Sequence, residues 1–111
     1  MNRPALNQAI RVLRTVNPDN FTMNYYINRC ETVGCIAGHC AMDIWFVANG
    51  FRFIIAETGR LRPAYSGKEG RDAIMLFFQL TPEQTDYLFF SQEPTLHEAI
   101  KRIKQIMEHH Q

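Results

Sequence analysis

Residues 35–50 read CIAGHCAMDIWFVANG, and this stretch decides the predicted fold. Between 35 and 48 only His39 and Asp43 are clearly polar. A helix that is apolar on nearly all sides is usually buried, so the pattern predicts a buried central helix over 35–48. The Asn-Gly pair at 49–50 is typical of the residues that follow a last helical turn, and it predicts where this helix ends.

The flanking sequence predicts four further helices, because apolar residues recur there at helical spacing. Their predicted ranges are about 4–16, 69–80, 82–90 and 95–107. The last two begin with capping-box patterns, in which Thr81 precedes Gln84 by three positions and Thr95 precedes Glu98. Such a box satisfies backbone N–H groups at a helix start, so these two boundaries are the sharpest ones that the sequence offers.

One segment departs from the helical pattern. FRFIIAET (51–58) has the composition of a strand, whereas the proline and glycines of 60–70 predict a loop. The predicted fold class is therefore mainly all-α, a single helical domain over 1–111. It has about five helices arranged around the central helix 35–48, with room for a short β-hairpin near 51–64.

Composition narrows the function classes. The chain has 111 residues, 46% hydrophobic and 21% charged, with a net charge of +1. A nucleic-acid binder usually carries a strong basic excess, so nucleic acid is not the expected partner. The three cysteines lie within eleven residues, unlike a secreted disulfide framework, and the N-terminal pattern is that of an amphipathic helix rather than a signal peptide. No apolar run approaches ~18 residues, so we predict a cytoplasmic protein that does not span a membrane.

Three motifs together resemble a known group of proteins. They are Phe21-Thr-Met-Asn-Tyr-Tyr26, Cys30-Glu-Thr-Val-Gly-Cys-Ile-Ala-Gly-His39 and Leu80-Thr-Pro-Glu-Gln-Thr-Asp-Tyr-Leu-Phe89. In this order, over about 5–107, the chain resembles a family of small uncharacterised proteins of bacteria and tailed bacteriophages. The family's usual Gly and Ala are replaced here by Glu31 and Cys40, and relatives often carry Trp at position 39. The resemblance implies a fold and a bacterial or phage origin, and it implies no activity.

The sharpest candidate for catalysis is formed by Cys35, His39 and Asp43. At i, i+4 and i+8 they would share one stripe of a helix. The helix dipole would stabilise a thiolate at Cys35, His39 could accept its proton, and Asp43 could orient the imidazole. The favoured interpretation is that the thiol is packed and that the His–Asp pair satisfies two polar groups of a buried helix.

A metal site is a second alternative, with Cys30, Cys35, His39 and Cys40 as the ligands. Structural zinc sites usually combine a closely spaced Cys pair with a second, distant pair. Here the first pair has an unusually long spacing and the second pair is missing. We therefore predict no metal and no other cofactor, with small packed thiols as the favoured interpretation.

A basic stretch is the third candidate, as a site for an anion or for an acidic partner surface. Its residues are Arg52, Arg60, Arg62, Tyr65, Lys68 and Arg71. The sequence around Ser66-Gly67-Lys68 lacks the first glycine of a P-loop, which would fall at Arg62. A solvated loop is the plain interpretation for small anions, and a protein partner is the favoured functional one.

Neighbouring aromatic residues suggest an exposed apolar patch. Phe77–Phe78 and Phe89–Phe90 cannot face the same way on a helix, so we expect one ring of each pair at the surface. Such a patch would mark a partner site or a homodimer interface.

These observations predict a non-enzymatic protein-interaction or regulatory protein of bacterial or phage origin, with an anti-defence or accessory role. Its partner would be a host or phage protein, bound through 52–71 and exposed aromatic side chains, or a second copy of the chain. The alternatives are a small-ligand-binding or thiol-dependent enzyme that uses Cys35, His39 and Asp43, and a small structural zinc domain.

Overall fold

The computed structural model describes residues 1–23, 26, 34–91 and 94–109. Six α-helices and a short three-stranded antiparallel sheet make up this part of the chain, which is about 60% helical. The helices are α1 (Arg3–Thr15), α2 (Ile36–Met42), α3 (Ile44–Ala48), α4 (Gly70–Phe78), α5 (Pro82–Phe89) and α6 (Leu96–His109). The strands are β1 (Arg52–Ile55), β2 (Leu61–Tyr65) and β3 (Lys68–Glu69), and a 3-10 turn occupies Pro18–Asn20. The mainly helical prediction is confirmed, but a purely all-α fold is wrong.

Helix α1 follows its predicted range to within a residue. Asn2 caps it, because the Asn2 side chain accepts a hydrogen bond from the Ala5 N–H, and a proline in the first turn needs no intrahelical partner. The predicted apolar stripe is buried, with Leu6 and Leu13 fully enclosed. Its charged face is left toward solvent.

The predicted central helix is not continuous. Asp43 adopts extended backbone angles (ψ 137°), which end α2 and begin α3. The Asp43 carboxylate then accepts a hydrogen bond from the Trp45 N–H at 3.2 Å, so this residue acts as an N-cap inside what the sequence presented as one helix. The first half is buried as predicted, but Ile44 in the second half is 84% exposed. The end at Asn49 and Gly50, where Gly50 has φ +89°, is confirmed.

The hairpin near 51–64 is present, and it extends into the segment predicted as loop. Strand β1 pairs with β2 from Arg52 opposite Ala64 to Ile55 opposite Leu61, and β3 adds two residues to β2. Gly59 at φ +82° closes the turn, in which the Ala56 N–H donates to the Arg60 carbonyl oxygen.

Pro63, which suggested a loop, lies in the middle strand. Antiparallel bonding alternates, so the Ala56–Arg60 pair places Pro63 opposite Phe53 at a position where β2 donates no hydrogen bond to β1. On its other edge β2 pairs with β3 only through Ala64 and Tyr65. The missing N–H of proline is therefore not needed by either neighbour.

An aromatic cluster joins the sheet to the helices. Phe46 is fully buried, and its ring centroid lies 5.6–5.8 Å from those of Phe51, Phe77 and Phe78. The expectation that one of Phe77 and Phe78 reaches the surface is wrong, because α4 lies between the sheet and the other helices. Phe77 packs edge-on against Tyr65 of β2, and both phenylalanines are buried. One hydrophobic cluster draws residues from all six helices.

The two predicted capping residues begin α5 and α6. At Thr81 the box is complete, since its hydroxyl accepts from the Gln84 N–H and the Gln84 side chain accepts from the Thr81 N–H. At Thr95 the hydroxyl accepts from the Glu98 N–H at 3.3 Å. Helix α6 packs along α1, so the first and last helices lie side by side.

Candidate functional site

The two described cysteines are sealed in the core. Cys35 is 3% exposed and Cys40 is fully buried. Burial raises the pKa of the Cys35 thiol to about 11, and this desolvation outweighs the backbone hydrogen bonds of Gly38 and Ala37, which act in the opposite direction. The backbone N–H groups at the start of α2 do favour the Cys35 thiolate, but burial outweighs them and the pKa is raised overall. Burial also raises the pKa of Cys40, and the neighbouring Cys35 adds to that effect.

His39 and Asp43 do not form the predicted pair. The Nε2 atom of His39 donates to the carbonyl oxygen of Asn20 at 2.9 Å, and the imidazole is 8% exposed. The Asp43 carboxylate accepts from the Trp45 N–H and from the Gln8 side chain at 3.3 Å. Because the helix breaks at Asp43, the i, i+4, i+8 stripe also ends there. Each polar group is satisfied by another part of the fold, and the arrangement lacks a relay from Asp43 through His39 to Cys35.

The four residues considered as metal ligands are not seen to converge. Cys30 lies outside the described residues, and the imidazole of His39 is used by Asn20. Across the described ranges, no group of three or more His, Cys, Asp or Glu side chains is placed to hold a metal ion. Cys35 and Cys40 are present as free, buried thiols.

The residues of the basic stretch lie in different environments in the folded protein. Arg71 is not available to an anion, because its guanidinium forms two hydrogen bonds with the Asp86 carboxylate, at 2.8 and 3.2 Å. Tyr65 packs on Phe77 with a centroid distance of 4.9 Å, so its ring belongs to the core side of the sheet. The predicted six-residue site is therefore not one surface.

Four cations of that stretch remain exposed on the hairpin: Arg52, Arg60, Arg62 and Lys68. Arg52 and Arg62 lie on the outer face of the sheet, since directly paired residues share a face and Phe53 and Pro63 occupy the inner one. A shallow depression of about 250 Å³ beside Arg52 and Lys68 also includes Glu69. Its mixed charges do not make an anion site.

The outer edge of β1, with which none of the described residues pairs, is a feature that the sequence did not reveal. Since Ala56 and Arg60 form a hydrogen-bonded pair, alternation directs the N–H and C=O groups of Phe53 and Ile55 away from β2. Neither residue forms a hydrogen bond outside the β1–β2 ladder with any described residue. The Ile55 side chain is 75% exposed beside these groups.

A second missed feature is a groove of about 680 Å³ between α1 and α6. Its walls carry four cationic side chains, those of Arg3, Arg11, Arg14 and Lys104. The sequence does contain a signal for the cationic side of this groove: the chain has no Asp or Glu before Asp19, so the charged residues of α1 are all basic. Only the packing of α6 against α1 adds Lys104 and turns the basic helix face into a groove.

The exposed aromatic residues are fewer than expected. Phe90 is 38% exposed while Phe89 is buried, which confirms the prediction for that pair. Tyr87 is 43% exposed, and the Arg102 guanidinium lies 4.5 Å from its ring centroid. Phe90 meets Tyr26 edge-on, so these rings already have partners within the fold.

In the described ranges, no helix combines the length and the apolar character that crossing a bilayer requires. No family model, no curated protein sequence and no solved structure matches the chain. The resemblance to small bacterial and phage proteins therefore stays a prediction.

Proposed function

We propose that this chain is a non-enzymatic protein-interaction module that binds its partner through the β1–β2 hairpin. The observation that carries the proposal is the outer edge of β1, which no other strand of the described residues covers and where outward backbone groups lie beside the exposed Ile55 side chain. A sheet edge of this kind can add a strand from another protein, because main-chain hydrogen bonds supply affinity and alternate side chains supply specificity.

Several common protections of an edge strand do not occur in β1. The sequence Arg52-Phe-Ile-Ile55 contains neither proline nor an inward-pointing charge, and its register with β2 is continuous, without a bulge. Such an edge favours a complementary strand.

The charge of the hairpin indicates the chemistry of that strand. Between Phe51 and Arg62 there are three arginines and a single acid, Glu57. A second copy would bring two positively charged hairpins together, and like charges across a strand pair destabilise it. We therefore assign the edge to a different protein that supplies an extended segment. That segment would present an apolar residue beside Ile55 and a carboxylate on the opposite face, toward Arg52.

The enzyme alternative receives no support from the same geometry. A thiol nucleophile needs a thiolate and access to substrate, whereas Cys35 is enclosed and its pKa is raised to about 11. The bacterial or phage origin and an anti-defence or accessory role remain predictions that depend on the resemblance.

The test uses a displayed library of extended peptides, selected on the wild-type protein and then measured against two variants of one residue. Ile55→Pro removes the outward N–H without removing a bond of the β1–β2 ladder, and Ile55→Thr is the matched control that keeps the N–H. We expect selected peptides to combine apolar and acidic residues and to lose at least about tenfold in affinity for Ile55→Pro, with a smaller loss for Ile55→Thr. Amide exchange of Phe53 and Ile55 should slow in the complex.

Several outcomes would contradict the proposal. Selection of no peptide, or of peptides that bind Ile55→Pro as tightly as wild type, would exclude strand addition at β1. If sedimentation shows a wild-type dimer that Ile55→Pro converts to a monomer, the occupant of the edge is a second copy and our assignment to a different protein is wrong. Far-UV circular dichroism checks that both variants retain the fold.

A further inference from the structure

The groove between α1 and α6 lies outside the hairpin and plays no part in the function proposed above. Arg11 and Arg14 line it from α1, and Lys104 lines it from α6. None of these three forms an ion pair with any described residue. Among the described residues Arg11 donates to Gln8 alone, and Arg3 connects the two helices by donating to the Met107 carbonyl oxygen at 2.7 Å. The cations are thus held on one concave surface.

The floor of the groove includes two apolar side chains among lining residues that are otherwise polar or charged. Ile10 is 6% exposed at its base, and the half-buried Met107 side chain lines it from α6. These two side chains offer a contact to one apolar residue of a ligand, in addition to the charges of the groove. Met107 adds a side chain that adapts to different apolar partners.

The spacing of the cations gives the length of the occupant. Arg3 and Arg14 are eleven positions apart on α1, which corresponds to about 16 Å along the helix axis. An extended peptide covers this distance with about five residues. Carboxylates of such a segment would meet Arg11, Arg14 and Lys104, which form no ion pair with the described residues, while an apolar side chain would reach Ile10.

A nucleic acid fits the same groove less well. Glu108 lines the groove and would repel a phosphate backbone, whereas a peptide can place an uncharged residue there. The net charge of +1 also provides no long-range attraction for a polyanion. We propose that the α1–α6 groove is a second docking site, which binds a short acidic peptide segment of a partner protein around one apolar anchor residue.

The experiment measures fluorescence anisotropy with a labelled peptide in which glutamates flank a central leucine. We expect binding at low salt that weakens as salt rises, because the cations are exposed. Arg11→Glu combined with Arg14→Glu should weaken binding at least about tenfold. Lys68→Glu combined with Lys101→Glu is the matched control: both side chains are exposed, neither lines the groove or lies on β1, and the net charge changes equally, so binding should alter less than about twofold.

Three further probes separate the groove from general electrostatics. A peptide with glutamines in place of glutamates should not bind, and replacement of the leucine by serine should weaken binding, because the apolar floor loses its contact. A single-stranded oligonucleotide serves as the third probe and should bind more weakly than the peptide.

The proposal is overturned if the peptide fails to bind at low salt, or if both double variants weaken binding equally. Equal affinity for the serine peptide would exclude the apolar anchor. Tighter binding of the oligonucleotide, lost in Arg11→Glu with Arg14→Glu, would assign the groove to nucleic acid instead. Ile55 lies outside the groove, and Arg11 and Arg14 lie outside the hairpin. Ile55→Pro and the Arg11→Glu, Arg14→Glu variant therefore report on different sites, and failure of one proposal leaves the other untouched.

Discussion

The buried thiol of Cys35 should make the folded protein less stable at alkaline pH. In the folded state the pKa of this thiol is about 11, because burial disfavours the thiolate, against an ordinary value of 9.0 in the unfolded chain. Below about pH 9 both states hold the proton, and the full stability is present. Between about pH 9 and 11 the unfolded state loses its proton while the folded state keeps it, so the free energy of unfolding falls.

The size of the effect follows from the difference in pKa. Near pH 10.5 the unfolded thiol is ionised and the folded one is largely not, which corresponds to a loss of about 2 kcal/mol. The loss approaches about 3 kcal/mol above the folded pKa. Cys40, whose pKa burial also raises, contributes in the same direction.

Urea denaturation at about pH 8 and about pH 10.5 measures this loss, with Cys35→Ala as the comparison that removes the thiol. Other groups titrate in both proteins, so the difference between wild type and variant isolates Cys35. The wild type should lose more stability with rising pH than the variant. Equal losses would refute a sealed thiol, and so would alkylation of folded Cys35 by iodoacetamide at the rate of free cysteine. Only alkylation faster than that of free cysteine would restore the catalytic alternative.

Three other predictions concern the fold, and urea denaturation at neutral pH measures each. Phe46→Ala should cost about 3–5 kcal/mol, because it opens a cavity at a fully buried ring, while Ile44→Ala, at an 84% exposed side chain, should change stability by less than about 0.5 kcal/mol. Thr81→Ala should cost about 1 kcal/mol by removing the cap of α5, and an unchanged midpoint would mean that the box is not formed in solution. Gly70→Ala and Gly59→Ala should both destabilise, because both positions have positive φ, and the Arg62 guanidinium near Gly70 is the end of a flexible side chain that can move away from an added Cβ.

The structure confirms the sequence features whose effect is local. The stripe of α1, the Asn-Gly end of α3 and the Thr81 capping box all act within a few residues, so their physics is complete in the sequence and the structure confirms them. Periodicity also located the amphipathic helices. It did not separate α2 from α3, because an aspartate in an apolar run satisfies the same pattern whether it caps a helix or lies within one.

Which side chains are buried, and which groups pair, depends on contacts with distant segments of the chain. Pro63 suggested a loop, but its register opposite Phe53 of β1 is a position that needs no N–H. Phe77 is buried because a strand covers the side of α4 that faces away from the other helices. His39 forms a hydrogen bond with the carbonyl oxygen of Asn20, nineteen positions earlier, and not with Asp43, four positions later. Such partners cannot be read from spacing along one element.

The mainly helical character of the chain and the boundaries of most of its helices follow from the sequence, because they depend on neighbours three or four positions away. The basic character of the N-terminal helix follows from its composition. The tertiary structure alone decided that the thiols are sealed, that Arg71 is neutralised by Asp86, and that α6 converts the face of α1 into a groove. Exposure and charge pairing are properties of segments brought together from distant parts of the chain, and folding creates them.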